Sequence, residues 1–317
     1  MSLHRKSRYT VGFYNVENLF DTIDNPYTHD DEYTPNNKRR WTLKKYYNKV
    51  KKLSSVIGQI GRSHSYYAPA IVGLAEVENS KVIEDLIRHK NLLKHDYAYV
   101  HYDSSDERGI DVGLMYNRKC FEVLASKTYP LHFVESDGSV DYTRDILKVS
   151  GRLNGELIHI IGNHWPSRRE GDQTVVLRKN AAFLVNDIID EIKKELKDPK
   201  IIIMGDFNDN PIDDSVSTHL NTEGFFNPML DLFNKGLGST AHNKQWNLFD
   251  QIIFSNNFLE PYTETHSFIK ADIFNKDWLR VYKGKLKGSP YRTYIGPWYK
   301  SGFSDHFPVF AILKRNT

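Results

Sequence analysis

The chain has 317 residues, a net charge of +3 and a single cysteine, Cys120. One cysteine excludes an internal disulfide bond, and so small a charge does not by itself indicate a protein that binds nucleic acid. No apolar run is long enough to cross a membrane, and no signal peptide is visible at the N-terminus. We therefore expect a soluble protein without a stable membrane span, either cytoplasmic or exported with its leader removed.

The first half of the chain predicts several strands and two helices. Residues 9–16 predict a short strand, and the apolar spacing over 44–62 is typical of an amphipathic helix with a basic, solvated face. The apolar run at 70–79 predicts a core strand, after which Asn79 or Ser80 caps a second helix. Further strands are predicted at 97–102, 111–117 and 121–129.

The second half begins with a predicted hairpin around Asn154-Gly155, a favoured two-residue turn. The elements predicted after it are a long helix at 172–196, a strand ending at Asp206, a short helix at 213–220, and strands at 249–255 and 306–314. Residues 260–303 are rich in Tyr, Lys and Gly and predict no definite element. Because no low-complexity linker interrupts the pattern, we expect one domain, 1–317, with sheet packed on sheet and helices outside.

Polar side chains recur at the ends of these strands. In "IIIMGDFNDNP" an apolar run leads into Asp206 and Asn208, which the alternation of a strand would place on the same side. A single such ending is equally typical of a turn. Six segments share the pattern, and their polar residues are Asn15 and Glu17, Glu76 and Glu78, Asn163 and His164, Asp206 and Asn208, Asp250, and Asp305 and His306. We interpret these endings as strand ends that converge on one site.

The residue types at these ends indicate metal-assisted chemistry. They are oxygen donors and histidines, without a cysteine cluster or an HExxH motif, which argues against zinc. Carboxylates with carboxamides favour a hard cation, Mg²⁺ or Mn²⁺, which would neutralise phosphate oxygens.

Taken together, the segments resemble the endonuclease/exonuclease/phosphatase superfamily, which includes pancreatic-type deoxyribonuclease, abasic-site endonucleases, neutral sphingomyelinases and inositol-phosphate 5-phosphatases. The matching motifs run from Asn15 to His306 and read "YNVEN", "LAEVEN", "GNHWPSR", "GDFN", "FDQIIFS" and "SDHFPV". The resemblance implies an α+β fold, a four-layer α/β/β/α sandwich in which two mixed sheets pack face to face with helices outside. It also implies a divalent-metal-dependent hydrolase with its site at one end of the sandwich.

The resemblance assigns a role to each motif residue. Glu76, Asn15 and Glu17 would be metal ligands, and Asp305 would complete the metal or base region. Glu78 and Asn79 are interpreted instead as serving the following helix.

The same resemblance implies the catalytic groups. Asp206 would orient or deprotonate the attacking water, and Asn208 would hold that water or the phosphate. His306, oriented by Asp250, would contact the phosphate or act as base. His164 would contact the phosphate or assist the leaving group.

Four arginines are candidates for substrate binding. Arg168 and Arg169 directly follow the His164 motif, and we expect at least one of them to bind a substrate phosphate. Arg108 and Arg144 could equally line the cleft or form structural ion pairs.

We expect a monomeric enzyme that cleaves phosphodiester bonds in nucleic acid, as an endonuclease or an exonuclease. The alternative is a phosphoesterase with a small substrate, such as a phosphoinositide, a phospholipid head group or a sugar phosphate. A binding module without activity is disfavoured, because each motif keeps its catalytic residue type.

Overall fold

A computed structural model describes residues 5–134, 138, 140–168, 173–220, 223–242 and 245–317. Within these residues the helices are α1 (Leu43–Ile57), α2 (Ser80–Arg88), α3 (Gln173–Glu195), α4 (Asp214–Ser217) and α5 (Met229–Asn234). The strands are β1 (Arg8–Leu19), β2 (Ile71–Val77), β3 (Tyr97–His101), β4 (Asp111–Asn117), β5 (Phe121–Tyr129), β6 (His132–Val134), β7 (Val140–Tyr142), β8 (Ile146–Leu153), β9 (Glu156–His164), β10 (Ile201–Asp206), β11 (Phe225–Phe226), β12 (Thr240–His242), β13 (Gln245–Asn247), β14 (Asp250–Ser255), β15 (His266–Ile273), β16 (Tyr294–Ile295), β17 (Trp298–Tyr299) and β18 (Val309–Arg315).

Two mixed six-stranded sheets dominate the architecture. The first has the order β15-β18-β1-β2-β4-β3, and the second has the order β11-β14-β10-β9-β8-β5. Each sheet has one parallel pair at its centre, β1 with β2 and β9 with β10, flanked by antiparallel neighbours. The predicted α+β sandwich of two mixed sheets is therefore confirmed.

Alternation along β10 shows how the layers are filled. Ile202 and Met204 belong to the core that contains Phe13 of the first sheet, and Met204 lies against Gly73 of β2. Ile201 and Ile203 point the other way and pack with Ile188 of α3. β10 is thus apolar on both faces because it is covered by a sheet on one side and a helix on the other.

The predicted elements agree with this structure along most of the chain. The hairpin around Asn154-Gly155 is present between β8 and β9, and the Asn79 side chain caps α2 by accepting from the amide of Val82. The helix predicted over 44–62 ends earlier, at Ile57, and the strand predicted from residue 306 begins at Val309. Residues 260–303, which predicted no element, contain the edge strand β15 and the short hairpin β16–β17.

Among the residues that the structure describes, we find no helix that is both apolar enough and long enough to span a bilayer.

A buried histidine in the second sheet makes stability depend on pH. The His159 side chain on β9 pairs with Ser150 Oγ at 2.8 Å, and burial, with Lys148 nearby, lowers its pKa to about 4. The unfolded chain binds this proton more readily, so stability is expected to be lost as the pH falls below about 6.5. The free energy of unfolding of the wild type should fall between pH 7 and pH 4.5, and in His159→Gln this fall should be smaller by about 2 kcal/mol. Urea unfolding at both pH values measures it.

Exposed His132 provides the control for this change. His132→Gln should leave the pH-dependent loss as it is in the wild type. An equal loss in the wild type and in His159→Gln would contradict the assignment.

Candidate active site

The site lies where the carboxyl ends of the two central parallel pairs meet. Asn15 of β1 is in register with Ala75 of β2, immediately before Glu76. In the second sheet, Asp206 of β10 lies between its register partners His164 of β9 and Asp250 of β14. Since parallel strands end on the same edge, the topology brings these polar residues together from distant parts of the chain.

Local backbone conformation aims several of these side chains. Glu17, Glu76 and Asn208 have positive φ angles of 52°, 64° and 50°. The strand register shifts around Glu17 and Glu76, and Asn208 lies beyond the end of β10. Simple strand alternation therefore does not determine the direction of Asn208. Its side chain donates to the carbonyl of Trp165 at 2.9 Å, and its amide donates to Asp206 Oδ1 at 3.0 Å.

Asn15 connects the two sheets at the site. Its Nδ2 donates to Asp206 Oδ2 at 2.9 Å and to Glu76 Oε1 at 3.3 Å, while its Oδ1 accepts from the amide of Glu17. The second oxygen of Glu76 accepts from the amide of Asn18 at 2.8 Å. Asn15 thus fixes the separation of two carboxylates from different sheets.

His306 completes this group from the turn before β18. Its Nδ1–H donates to Asp250 Oδ2 at 2.6 Å, and its Nε2 lies 3.9 Å from Asp206 Oδ2. Burial alone would lower the pKa of His306, but the carboxylates of Asp250 and Asp206 raise it well above the usual value. Burial, with the Asp250 carboxylate nearby, raises the pKa of Asp206 to about 6. The turn is tied to β1 by Ser304 Oγ, which donates to the carbonyl of Asn15.

His164 faces the same carboxylates from the end of β9. Its Nε2 lies 4.0 Å from both Glu76 Oε1 and Asp206 Oδ2. Burial and the positive charges of Arg144 and Arg108 lower the pKa of His164 well below its usual value. The pKa values of the two imidazoles are therefore shifted in opposite directions, which favours a neutral His164 and a cationic His306 near pH 7.

A buried lysine and an arginine neutralise the remaining acids. Lys49 of α1 is 1% exposed, donates to the Glu17 carbonyl at 2.5 Å and lies 3.7 Å from Glu17 Oε2. Arg292 Nη2 lies 2.7 Å from Asp305 Oδ2, and Arg292 Nε lies 3.5 Å from Glu17 Oε1. The amide of Thr293 also donates to Glu17, at 2.6 Å.

Residues 10–315 match the sequence model of the Endonuclease/Exonuclease/phosphatase family. The chain belongs to this family. It is therefore a hydrolase of a family whose members are generally metal-dependent phosphoesterases. No curated protein is significantly similar in sequence.

Solved structures share the fold of this family member at low sequence identity. D. rerio TDP2, complexed with a single-strand DNA product, is 14% identical with a TM-score of 0.60, covering 98% of this chain and 100% of that one. A Bacteroides vulgatus member of the family is 19% identical with a TM-score of 0.58, covering 98% and 100%. A mannosyl-6-phosphatase from Bacteroides thetaiotaomicron is 15% identical with a TM-score of 0.56, covering 96% and 99%.

The candidate arginines differ in their surroundings. Arg144 is buried and binds Asp106 at 3.1 Å and the Trp165 carbonyl at 2.9 Å, whereas Arg108 donates to Asn18 Oδ1 at 2.8 Å. Arg168 donates to the Asn208 carbonyl and to Asp209, both at 2.7 Å, and also to Asp213. Arg168 thus braces the loop after β10, and Arg169 lies outside the described residues.

The donor set is suited to a hard divalent ion. The carboxylates of Glu76, Glu17 and Asp305 and the amide oxygen of Asn15 are all oxygen donors, as predicted for Mg²⁺ or Mn²⁺. The most compact group at the site is a different one, however. One ligand atom from each of Asp206, Asp250 and His306 lies within 4.8 Å of the others. Asn79 caps the following helix as predicted, whereas Glu78, predicted to serve the same helix, accepts from the amide of Asp21 in the segment after β1.

Sequence reasoning missed Lys49, Arg292 and Thr293. Lys49 lies among the basic residues of a helix whose polar face was interpreted as solvated, yet it is fully buried. Its position one turn before Leu53 on the apolar stripe was the available signal. Arg292 and Thr293 belong to residues 260–303, where the sequence has no periodicity that would place a side chain.

Proposed function

We propose that this protein is a divalent-metal-dependent phosphodiesterase that cleaves nucleic acid, with residues 1–317 as a single catalytic domain. The observation that carries the proposal is the meeting of Glu76, Asp206 and His306, which are far apart in sequence. Asn15 binds both carboxylates, and His306 Nε2 lies 3.9 Å from Asp206. All the proposed catalytic groups come from one chain, which supports activity as a monomer.

Mg²⁺ or Mn²⁺ is the proposed cofactor, held by Glu76 with Asn15, Glu17 and Asp305 as the other candidate ligands. When bound, such an ion neutralises phosphate charge and stabilises the leaving oxygen. Glu76 is the strongest candidate among the four. In the described part of the chain Glu76 forms an ion pair with His164 alone, whereas Glu17 and Asp305 are both paired with Arg292.

Asp206 is the proposed base for the attacking water. Its raised pKa of about 6 makes it a stronger base than an exposed aspartate while leaving it ionised at neutral pH. The amide of Asn208 and the side chain of Asn15 hold its two oxygens, so the carboxylate has a fixed direction. Asn208 is proposed to bind the same water or the phosphate.

The two imidazoles are proposed to act on the phosphate and the leaving group. His306, kept cationic and oriented by Asp250, donates from Nε2 to a phosphate oxygen and stabilises the charge that develops there. Neutral His164 lies across from it and is placed to contact the leaving oxygen. Arg108 and Arg144 add positive charge behind His164, and Arg168 and Arg169 remain candidate phosphate contacts.

Exposed aromatic surface beside His306 supports a substrate that contains rings. Trp246 of β13 stacks on Phe307 with ring centroids 6.0 Å apart and is 36% exposed. Such a face binds bases without sequence preference. The TDP2 structure with a single-strand DNA product shows that this fold accommodates nucleic acid.

The alternative substrate is a small phosphoester such as a sugar phosphate. The fold shared with a mannosyl-6-phosphatase supports it, and Trp246 would serve a sugar ring as well as a base. A panel of plasmid DNA, abasic DNA, RNA, a phosphoinositide, sphingomyelin and mannose 6-phosphate, each with Mg²⁺ and with EDTA, distinguishes the two. EDTA-sensitive nicking of DNA is expected, and hydrolysis of a small phosphoester without cleavage of nucleic acid would displace our proposal.

Removing the charge of Glu76 tests the metal assignment. Glu76→Gln keeps the acceptor for the Asn18 amide but loses the carboxylate, so Mn²⁺ affinity measured by isothermal titration calorimetry should fall at least about tenfold. Glu84→Gln is the control: Glu84 lies on α2, is 39% exposed and pairs with Arg88, and its replacement should leave Mn²⁺ binding normal. Unchanged affinity in Glu76→Gln would refute its role as a ligand.

A further inference from the structure

A buried histidine outside the active site faces two carboxylates. His101 ends β3 and Asp111 begins β4, the strand paired with it, while Asp103 lies in the loop that joins the two strands. The Nε2 of His101 lies 3.3 Å from Asp111 Oδ2, and its Nδ1 lies 3.8 Å from Asp103 Oδ1. One ligand atom from each of the three residues lies within 4.8 Å of the others, so a single ion can contact all three.

The contact between His101 and Asp111 is not a hydrogen bond. The His101 side chain is 2% exposed, and its Nε2 has no hydrogen-bond partner. In the same chain, a histidine that does donate to a carboxylate stands much closer, since His306 lies 2.6 Å from Asp250. An imidazole lone pair that faces a carboxylate oxygen is repelled unless a cation lies between them. Ligand atoms about 2.0 Å from a tetrahedral ion lie about 3.3 Å from one another, which is the separation found here.

The Asp111 carboxylate is held in this direction by the loop. Its Oδ1 accepts from the amide of Ser104 at 3.0 Å, which leaves Oδ2 facing His101. The Ser104 hydroxyl accepts in turn from the amide of Asp106 at 3.3 Å. Asp103 is 84% exposed, so its carboxylate can turn toward an ion by rotation about its own bonds. Two of the three ligands are therefore fixed before an ion binds, and the third is free to close over it.

An acidic cavity of about 450 Å³ opens beside these residues. The acids that line it are Glu78, Asp103, Asp106, Glu107 and Asp111. Within the described part of the chain, no lysine or arginine lines this cavity. Concentrated negative charge attracts cations from solution, so the cavity gives a divalent ion both a path to His101 and a reason to enter.

The loop at 102–110 also reaches the active site. Asp106 pairs with Arg144 at 3.1 Å, and Arg108 donates to Asn18 Oδ1 at 2.8 Å. An ion held by residues on both sides of this loop would fix its two ends, and with them the positions of these contacts.

We propose that His101, Asp111 and Asp103 form a separate metal site for Zn²⁺, which fixes the loop between β3 and β4. The imidazole nitrogen suits Zn²⁺, whereas the oxygen donors around Glu76 suit Mg²⁺ or Mn²⁺. Three protein ligands leave the fourth position of a tetrahedral ion to water. The inference goes beyond the proposed function and does not rest on it, because these residues lie outside the active site.

The zinc content of the full chain tests the site without turnover. After equilibration with Zn²⁺ in excess Mg²⁺ and removal of free ions, elemental analysis should find one zinc fewer per chain in His101→Gln than in the wild type. His29→Gln is the matched control, because His29 is 75% exposed and lies 4.0 Å from Glu107 of the same loop; it should keep the wild-type content. Zn²⁺ should also raise the Tm of the wild type more than that of His101→Gln, since an ion that binds the folded chain stabilises it. Equal zinc content in the wild type and in His101→Gln would overturn the inference.

Asp103→Asn keeps the test decisive if the buried His101→Gln variant does not fold. Its Kd for Zn²⁺, measured by isothermal titration calorimetry in excess Mg²⁺, should be at least about tenfold higher than that of the wild type. Asp277→Asn, at a position that is 98% exposed, is the control and should bind Zn²⁺ as the wild type does. An unchanged Kd in Asp103→Asn would overturn the inference. A wild-type protein that binds this zinc but hydrolyses no phosphoester would refute the proposed function alone.

Discussion

Replacing Asp206 with Asn is expected to lower kcat about 10²- to 10⁴-fold, the range that removal of a general base produces. The amide oxygen can still accept from one of the two donors, Asn15 Nδ2 or the Asn208 amide, so the side chain keeps its shape and one of its two hydrogen bonds while the basic oxygen is lost. The measurement is the rate of DNA nicking at saturating Mg²⁺, or of hydrolysis of whichever phosphoester the substrate panel identifies. Asp231→Asn, at an exposed position on α5, is the control and should keep wild-type activity.

The pH profile separates a base from a merely structural aspartate. Because burial and Asp250 raise the pKa of Asp206 to about 6, the ionised form is lost as the pH falls through that value. The activity of the wild type should therefore fall about tenfold per pH unit below about pH 6, whereas the residual activity of Asp206→Asn should lack this dependence. If Asp206→Asn still lost activity below about pH 6 as the wild type does, a group other than Asp206 would be the base.

The fold was predictable because its elements have strong local patterns. The run of isoleucines before Asp206 predicts a buried strand, and the Asn154-Gly155 turn predicts a hairpin; both are present. The motifs also follow one another along the chain in the order of the strands that carry them. The edge strand β15 was not predicted, since its residues are only partly buried and its polar face carries Lys270 and Asp272.

The site was predictable to the extent that its residues end central strands. Asn15 and Asp206 lie at the ends of buried strands that each have a parallel partner, and Asp250 begins a strand that runs antiparallel to β10 and places it opposite Asp206. The cations that balance these acids could not be predicted in the same way. Lys49 contacts Glu17 from helix α1, and Arg292 contacts it from a loop that packs on Gly302. Contacts of this kind between distant segments produce no periodic pattern in the sequence.

His306 and Asp250 are expected to act as a unit. His306→Gln should lower kcat about 10²- to 10⁴-fold because the cationic Nε2–H beside Asp206 is lost. Asp250→Asn keeps the shape but removes the charge that orients and stabilises the imidazolium at 2.6 Å, so a loss of about 10²-fold or more is expected.

The double variant distinguishes this pair from two independent groups. If Asp250 acts only through His306, the double variant His306→Gln/Asp250→Asn should lose about as much kcat as His306→Gln alone. The reason is that the effects of residues acting as one unit are not additive. Losses that multiply would mean that Asp250 has a separate role, such as a metal ligand, which its proximity to Asp206 within the compact group of three would permit. Mn²⁺ affinity measured on the same variants separates the cases, since a partner that serves only to orient His306 should leave the affinity unchanged.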